Sequence, residues 1–217
     1  MSAVADTGPT FCLDCTLCPR LSRFLAATAH EHPDYHCKPV APFGLAQPSL
    51  LIVGLAPGMH GANRTGRPFT GDYAGILLYE TLHALGLASA PASVDRSDGL
   101  KLMGARITNA VKCLPPENKP LPTEIKTCNR YLAAELAELT SVKAILALGL
   151  VAHDAVLMAT GQRRSSAKFG HGNEHVLPDG KHLIDSYHCS RYNTNTRRLT
   201  TPMFHSVMKR AATLAGL

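Results

Sequence analysis

The chain has 217 residues, 45% hydrophobic and 18% charged, which excludes a disordered polypeptide and allows one domain with a buried core. The 22 Lys and Arg residues outnumber the 16 Asp and Glu residues, and the formal charge of +6 suits a polyanion such as nucleic acid. Residues 1–10 lack the pattern of a secretion signal, and the longest apolar stretch, residues 144–152, is too short to cross a bilayer. We therefore expect a cytoplasmic protein whose 7 cysteines are metal ligands or buried thiols and not disulfides.

Apolar runs and amphipathic stretches alternate along the chain. Four runs predict β-strands, at residues 49–53, 105–111, 142–148 and 182–187. Helices are predicted at residues 73–85, 124–139 and 151–160, and a last helix begins at Thr201-Pro202, where threonine caps and proline fits the first turn. Strands separated by helices pair in parallel, so we expect an α/β fold with helices on both faces of the sheet. The basic, glycine-containing stretch 161–172 is expected to be a surface connection.

Cysteines supply the first chemical motif. Cys15 and Cys18 form a C-x-x-C pair, and Cys113 and Cys128 form a second, widely spaced pair. Four thiolates suit either zinc or an iron–sulfur cluster, and the loose second pair favours the cluster mildly, because zinc modules usually close with two tight pairs. Cys12 extends the first pair and is an alternative ligand. Burial as a small apolar residue is the simpler interpretation for Cys37 and Cys189.

A glycine-rich segment, residues 54–75, follows the first predicted strand and leads into a helix. Its backbone N–H groups and glycines allow a ligand to approach closely, although the segment is neither a P-loop nor a dinucleotide-binding fingerprint. Asp72 is a candidate acid, base or electrostatic stabiliser, but capping of the helix at Tyr73 is the stronger interpretation from the sequence alone. Phe69 suits stacking on a base, and equally a place in the core.

A third polar feature lies at the last predicted strand end. His188 is followed by a loop rich in hydroxyl, amide and arginine side chains, which match the requirements of phosphate-backbone contacts; a solvated polar loop is the simpler alternative. Asn109 lies near the end of the second strand. Ligands of open α/β sheets bind at the carboxyl ends of the strands, so these features are expected to converge on one edge.

Taken in order and spacing, four stretches resemble the uracil-DNA glycosylase superfamily, and most closely its family five (type b) iron–sulfur enzymes. They are CTLCPRL, GLAPGMHGANRTGRPFTGD, TNAVKCLPPENKP and SYHCSRYNTNTRRLT, and together they cover the chain from about Cys15 to the last helix. The resemblance implies a single domain over residues 1–217, with two cluster cysteines in residues 1–40. It also implies a three-layer α/β/α sandwich around a mainly parallel four-stranded sheet. Two departures stand out: Met59 replaces a common alanine, and Cys189 follows His188 where many members have proline.

The resemblance also implies roles for individual residues. Asp72 assists the water or the sugar cation, Asn109 contacts the flipped base and His188 bonds a pyrimidine carbonyl. Phe69 stacks on the base. The 4Fe–4S ligands are Cys15, Cys18, Cys113 and Cys128; the substrate pocket adds Gly54, Leu55, Ala56, Pro57 and Gly58; the expected DNA contacts are Asn63, Arg64, Ser190, Arg191, Asn193 and Thr194.

These roles predict a monomeric, monofunctional glycosylase acting on uracil, and on other deaminated bases such as hypoxanthine or xanthine, in base excision repair. The expected setting is a bacterial or archaeal cytoplasm, in association with the nucleoid. Neutral His188 and the N–H groups of residues 55–58 stabilise the leaving base anion, and Asp72 stabilises the sugar cation. Two other classes remain open: an iron–sulfur or zinc protein that binds damaged nucleic acid without chemistry, and a hydrolase of free nucleosides.

Overall fold

The computed structural model describes residues 11–217. The prediction that residues 1–10 carry no secretion signal concerns residues outside this range, and it stays a prediction. No helix in the described part is both long and apolar enough to cross a membrane.

Strands and helices alternate along the described chain. The strands are Phe43–Gly44 (β1), Leu50–Gly54 (β2), Ala105–Asn109 (β3), Ala144–Leu148 (β4), Glu174–Val176 (β5) and His182–Ser186 (β6). The α-helices are Pro19–Glu31 (α1), Ala62–Thr65 (α2), Tyr73–Ala84 (α3), Pro122–Glu138 (α4), Leu150–Ala159 (α5), Arg191–Asn195 (α6) and Thr201–Ala215 (α7). Short 3-10 turns lie at Pro116–Asn118 and Arg164–Ser166.

One six-stranded sheet has the order β1-β3-β2-β4-β6-β5. Its four central strands are parallel, as the sequence predicts, whereas the short strands β1 and β5 pair antiparallel at the two edges. The predicted number of four strands is therefore wrong, because the sheet has two additional strands at its edges. Both edge strands are short, pair with a single neighbour and are partly exposed, so they lack the buried apolar run that predicts a strand from the sequence.

Two apolar layers cover the sheet and confirm the three-layer α/β/α fold. Every residue of β2 and β4 is buried, as expected for parallel strands that are covered on both faces. Leu50 and Ile52 face the core shared with α3 and α7, whereas Leu51 and Val53 face the core shared with α4 and α5. The chain runs from β2 to β3 on one side and then to β4 on the other, so the strand order reverses at β2.

Helix ends agree with the predicted boundaries, with one correction. The cap of α7 is Thr200, whose hydroxyl accepts the Met203 N–H, and not Thr201, which is already helical. Helix α1 was absent from the sequence prediction, because only Leu21, Leu25 and Thr28 of its thirteen residues are buried. It packs with α4 around a third, smaller core that contains Cys113 and Cys128.

Candidate active site

A cavity of about 430 Å³ opens at the carboxyl edge of the sheet. Its lining includes Leu55, Ala56, Gly58, Phe69, Asp72, Asn109 and His188, and thus most of the predicted base-pocket residues. Gly54 and Pro57 are buried behind this lining. A neighbouring cavity of about 670 Å³ shares Gly58, Asp72 and Tyr73 with it. The strand ends thus bring together side chains that lie far apart in the sequence.

Asn109 is the buried polar group of the first cavity. It ends β3 opposite Gly54 of β2, and its side chain is 3% exposed. Its Oδ1 has no hydrogen-bond partner among residues 11–217. A β-carbon at Gly54 would overlap Asn109 Oδ1 and lie 2.6 Å from the Phe69 ring, so both side chains pack directly over this glycine. A buried unpaired acceptor costs free energy, which a ligand that donates a hydrogen bond would recover.

Phe69 and His188 form an aromatic wall of the same cavity. Their rings stack with centroids 5.9 Å apart and an interplanar angle of 28°. Phe69 has a left-handed backbone (φ 53°) and is 6% exposed, so it belongs both to the core and to the cavity lining. Burial lowers the pKa of His188 to about 4, so this imidazole is neutral at physiological pH and has one N–H to donate.

The two carboxylate oxygens of Asp72 face different partners. Oδ1 accepts the Gly75 N–H at 2.8 Å and caps α3, which confirms the capping interpretation. A β-carbon at Gly58 would lie 3.8 Å from Oδ2, so the second oxygen faces the glycine-rich turn that lines both cavities. Burial raises the pKa of Asp72, and the N–H groups of Gly75 and Ala74 only partly oppose this. The cap and the site role are compatible.

Asn118 is a site residue that the sequence prediction missed. It lies in the turn after Pro115-Pro116 with φ 56° and lines both cavities. Its Oδ1 would lie 4.0 Å from a β-carbon at Gly58, the same point that would lie 3.8 Å from Asp72 Oδ2. The available signal was an asparagine in a proline-rich turn between Cys113 and Cys128, a common place for a left-handed residue.

The predicted DNA contacts divide into exposed and internal groups. Arg64 and Arg191 are exposed at the rim, and the Arg191 guanidinium lies 5.1 Å from the centroid of the Tyr73 ring. Ser190 caps α6 and Asn193 Nδ2 donates to the His188 carbonyl at 2.8 Å, so both hold the loop that carries His188. Thr194 lies beside the Tyr73 hydroxyl at 3.2 Å.

Asn63 requires a correction. Its side chain is 0% exposed, and Nδ2 lies 3.5 Å from Cys37 Sγ. A direct phosphate contact by Asn63 is wrong for this structure, because no atom of the side chain reaches the surface.

The four predicted ligand cysteines line one small enclosed space between α1 and α4. Tyr131 donates its hydroxyl to Cys15 Sγ, and the Lys112 N–H donates to Cys128 Sγ, both at 3.3 Å. Burial, with the neighbouring thiols, raises the pKa of Cys113 to about 12 and that of Cys18 to about 11. Four thiolates at this place would therefore need a bound cation, which a metal centre provides. Cys12 is exposed and outside the lining, whereas Cys37 and Cys189 are buried as expected.

The chemistry of the donor set indicates what this space could hold. Four cysteine thiolates are the usual ligands of both structural zinc ions and iron–sulfur clusters. The four cysteines therefore fit a thiolate-bound metal group.

Comparison with known proteins gives a consistent result. The family model described as the uracil DNA glycosylase superfamily matches residues 41–212. The type-5 uracil-DNA glycosylase of Thermus thermophilus is 47% identical over 94% of both chains. Type-5 uracil-DNA glycosylases from Mycobacterium tuberculosis and Pyrobaculum aerophilum are 42% and 41% identical over 94% of this chain, and over 79% and 90% of their own lengths.

Proposed function

Because the chain belongs to the uracil DNA glycosylase superfamily, we propose that it is a DNA glycosylase that excises uracil during base excision repair. Asn109 carries this proposal. A flipped uracil would enter the 430 Å³ cavity and meet the unpaired, buried Oδ1 of Asn109 with its N3–H donor. The amide nitrogen of Asn109 can donate to O4, so one side chain matches two adjacent groups on the base.

The aromatic wall and the glycine-rich turn supply the next step. Phe69 stacks on the base, while neutral His188 donates a hydrogen bond to a carbonyl oxygen as the N-glycosidic bond breaks. The N–H groups of residues 55–58 stabilise the same developing anion. A neutral imidazole suits this step, because it donates a hydrogen bond to the developing base anion and keeps its proton.

Asp72 acts on the other side of the broken bond. Its Oδ2 stabilises the sugar cation and orients the attacking water, and Asn118, whose Oδ1 faces the same turn at Gly58, is proposed to hold the same water. No Lys is found in the lining of the 430 Å³ cavity among the described residues, so we propose a monofunctional enzyme without lyase activity. A Schiff-base product trapped by borohydride would overturn this part of the mechanism.

For the cofactor, we propose a 4Fe–4S cluster held by Cys15, Cys18, Cys113 and Cys128. When bound, the cluster would supply a structural cross-link between the N-terminal segment and the β3–α4 connection, without redox chemistry in base removal. Hypoxanthine and xanthine as further substrates, the single domain over residues 1–217, a monomeric state and a cytoplasmic, nucleoid-associated location remain predictions.

The decisive experiment measures alkali-dependent cleavage of labelled duplexes that carry one uracil, hypoxanthine or xanthine, with a thymine duplex as control. We expect strand breaks at uracil, and at least a tenfold loss of the single-turnover rate in Asn109→Leu, which keeps the volume but removes the amide. Binding without cleavage by folded protein would favour the damage-binding alternative. Cleavage of free deoxyuridine at a comparable rate would favour the nucleoside hydrolase.

A further inference from the structure

A buried ion pair lies outside the proposed base pocket and holds the 161–172 loop. Asp185 of β6 is 0% exposed, and its Oδ1 lies 2.7 Å from His153 Nδ1 on α5. The other nitrogen of His153 lies 3.1 Å from the Ala167 carbonyl of the loop. Since both ring nitrogens face acceptors, the pair is best satisfied by an imidazolium and a carboxylate. The 2.7 Å separation is that of a hydrogen bond, so we assign no metal to this cluster.

Asp185 also fixes the far end of the loop. Its Oδ2 accepts the Gly170 N–H at 3.3 Å, and its backbone exchanges hydrogen bonds with Gly172 and Asn173 at 2.8 and 3.0 Å. A loop that was expected to be a simple surface connection is therefore anchored to Asp185 at several points, through both its carboxylate and its backbone. A loop whose backbone is already ordered loses less conformational entropy on binding than a mobile one, which favours a binding role for such a loop.

Aromatic contacts place this loop beside the proposed active site. His171 stacks on Tyr187, the neighbour of His188, with centroids 5.1 Å apart, and the Tyr187 N–H donates to His171 Nδ1. The Arg198 guanidinium lies 4.6 Å from the centroid of the same Tyr187 ring. Residues from the loop and from the segment after α6 therefore meet at Tyr187.

The surface charge of this region is positive because its acids are already paired. Glu174 bonds Arg210, Asp179 bonds Lys181, and Asp185 is buried with His153. Arg164 pairs with Asp154, whereas the exposed Arg163 and Lys168 form no ion pair with any residue of the described chain. The exposed Arg191 lines the base cavity and the exposed Arg198 contacts Tyr187, so positive charge extends from the cavity rim to the ring on which His171 of the loop stacks.

We propose that the 161–172 loop is a second DNA-contacting segment, which binds backbone phosphates beside the extruded nucleotide through Arg163 and Lys168. The inference rests on the proposed glycosylase function for the identity of its polyanion. Phosphate contacts give affinity without sequence preference, so these two side chains are expected to strengthen binding to any duplex, damaged or undamaged.

The test compares the double variant Arg163→Ala/Lys168→Ala with Lys101→Ala/Lys143→Ala by fluorescence anisotropy on one undamaged labelled duplex. Lys101 and Lys143 are also exposed, but they precede β3 and β4 at the opposite edge of the sheet. Each lost phosphate contact lowers the slope of log affinity against log salt by about one. We expect a decrease of about two in the loop variant and no change in the control variant.

Uracil cleavage at saturating enzyme is measured in parallel. The loop variant is expected to keep the wild-type single-turnover rate, because neither residue lines the base cavity. Equal salt slopes in the two double variants would overturn the proposal that the 161–172 loop binds DNA, even if cleavage activity were full. If the wild-type protein failed to cleave uracil but the loop variant still showed a smaller salt slope, the proposed function would be overturned. The proposal that the loop binds DNA would then still hold.

Discussion

At the scale of single residues, the Asp72 carboxylate faces a helix end with one oxygen and the proposed active site with the other. One oxygen caps α3 and the other faces the turn at Gly58. The capping bond fixes the side-chain rotamer, so the second oxygen needs no further ordering when substrate binds. Its two roles can be separated by a substitution that retains the acceptor and removes the charge.

Asp72→Asn is such a substitution. Asparagine caps helices as well as aspartate does, so we expect no large change in thermal unfolding. The single-turnover rate of uracil release should fall by roughly one to two orders of magnitude, because the amide neither stabilises a cation nor accepts a proton. A folded variant with a near-normal rate would leave Asp72 only its capping role.

The pH dependence of the rate should report the same carboxylate. Burial raises the pKa of Asp72, and the ionised form is the one proposed to act, so the rate is lost as pH falls through that raised value. His188, with its pKa lowered to about 4 by burial, stays neutral over most of this range and adds no further decrease. The measurement is the single-turnover rate at pH values from about 4.5 to about 8. This range lies above the ordinary aspartate pKa of about 3.9, so a decrease within it reports a raised pKa. In Asp72→Asn the decrease at acidic pH should be absent; an unchanged profile would contradict the assignment.

At the scale of helices and strands, the elements with a strong apolar period were predictable and the tertiary details were not. Strands β2 and β4 and helix α4 lie within two residues of their predicted bounds, because buried runs and helical spacing depend on the local sequence. Strand β5 exists because β6 pairs with it, and its own residues are largely exposed. No local pattern reveals such an element.

The residues of the candidate site also divide into those that the local sequence predicts and those whose positions depend on tertiary packing. The convergence of Asp72, Asn109 and His188 on one cavity could be predicted, because each lies near the end of a predicted strand or the start of a helix. Their chemical roles stay predictions that rest on the resemblance of the four motifs to one family. Asn118 and the His153–Asp185 pair were missed, since their positions depend on long-range packing. Asn63 was misjudged because the sequence does not show side-chain direction: its side chain points into the core, whereas that of Arg64 is exposed.

A buried charge network joins β3 to α4 and offers a test at this scale. Glu135 bonds Arg106 and Thr108, both at 2.8 Å, and lies 3.3 Å from the Nζ of Lys112, which is 2% exposed. Burial would raise the pKa of Glu135, but Lys112, Arg106 and Thr108 lower it overall. Its contribution to stability is therefore present above the unfolded-state pKa and is lost as pH falls through the lower folded-state value.

Glu135→Gln should destabilise the protein by about 3–5 kcal/mol at neutral pH, because Lys112 would remain buried without a countercharge. Denaturant unfolding provides the measurement, with Glu138→Gln as the control, since Glu138 is exposed on the same helix. The control should change stability by less than about 0.5 kcal/mol. Equal values for the two variants would show that the network contributes nothing.

At the scale of the whole molecule, the four clustered cysteines connect distant parts of the chain. Cys15 and Cys18 precede α1, Cys113 follows β3 and Cys128 lies on α4. Arg20 reinforces this connection, because its guanidinium bonds both oxygens of Glu124, at 2.8 and 2.7 Å, and the Lys119 carbonyl. The segment that carries Asn118 lies between these fixed points.

Cys128→Ser and Cys12→Ser form a matched pair for the proposed cluster. Serine removes the soft thiolate, so Cys128→Ser should lose most of the bound iron, of which a 4Fe–4S protein holds about four per chain. Cys12→Ser should keep the wild-type iron content and visible absorbance, because Cys12 is exposed and outside the cysteine-lined space. Iron loss in Cys12→Ser, with retention in Cys128→Ser, would require a different ligand set.

The Arg20–Glu124 contact also has a consequence for the order of events during synthesis. Its two side chains are 104 positions apart, so more than half of the chain must leave the ribosome before the N-terminal helix can find its partner. Until then α1 has few apolar contacts of its own, so we expect it to be accessible to proteases. We expect the newly made chain to be cleaved first near its beginning, and to become resistant only when α4 has emerged.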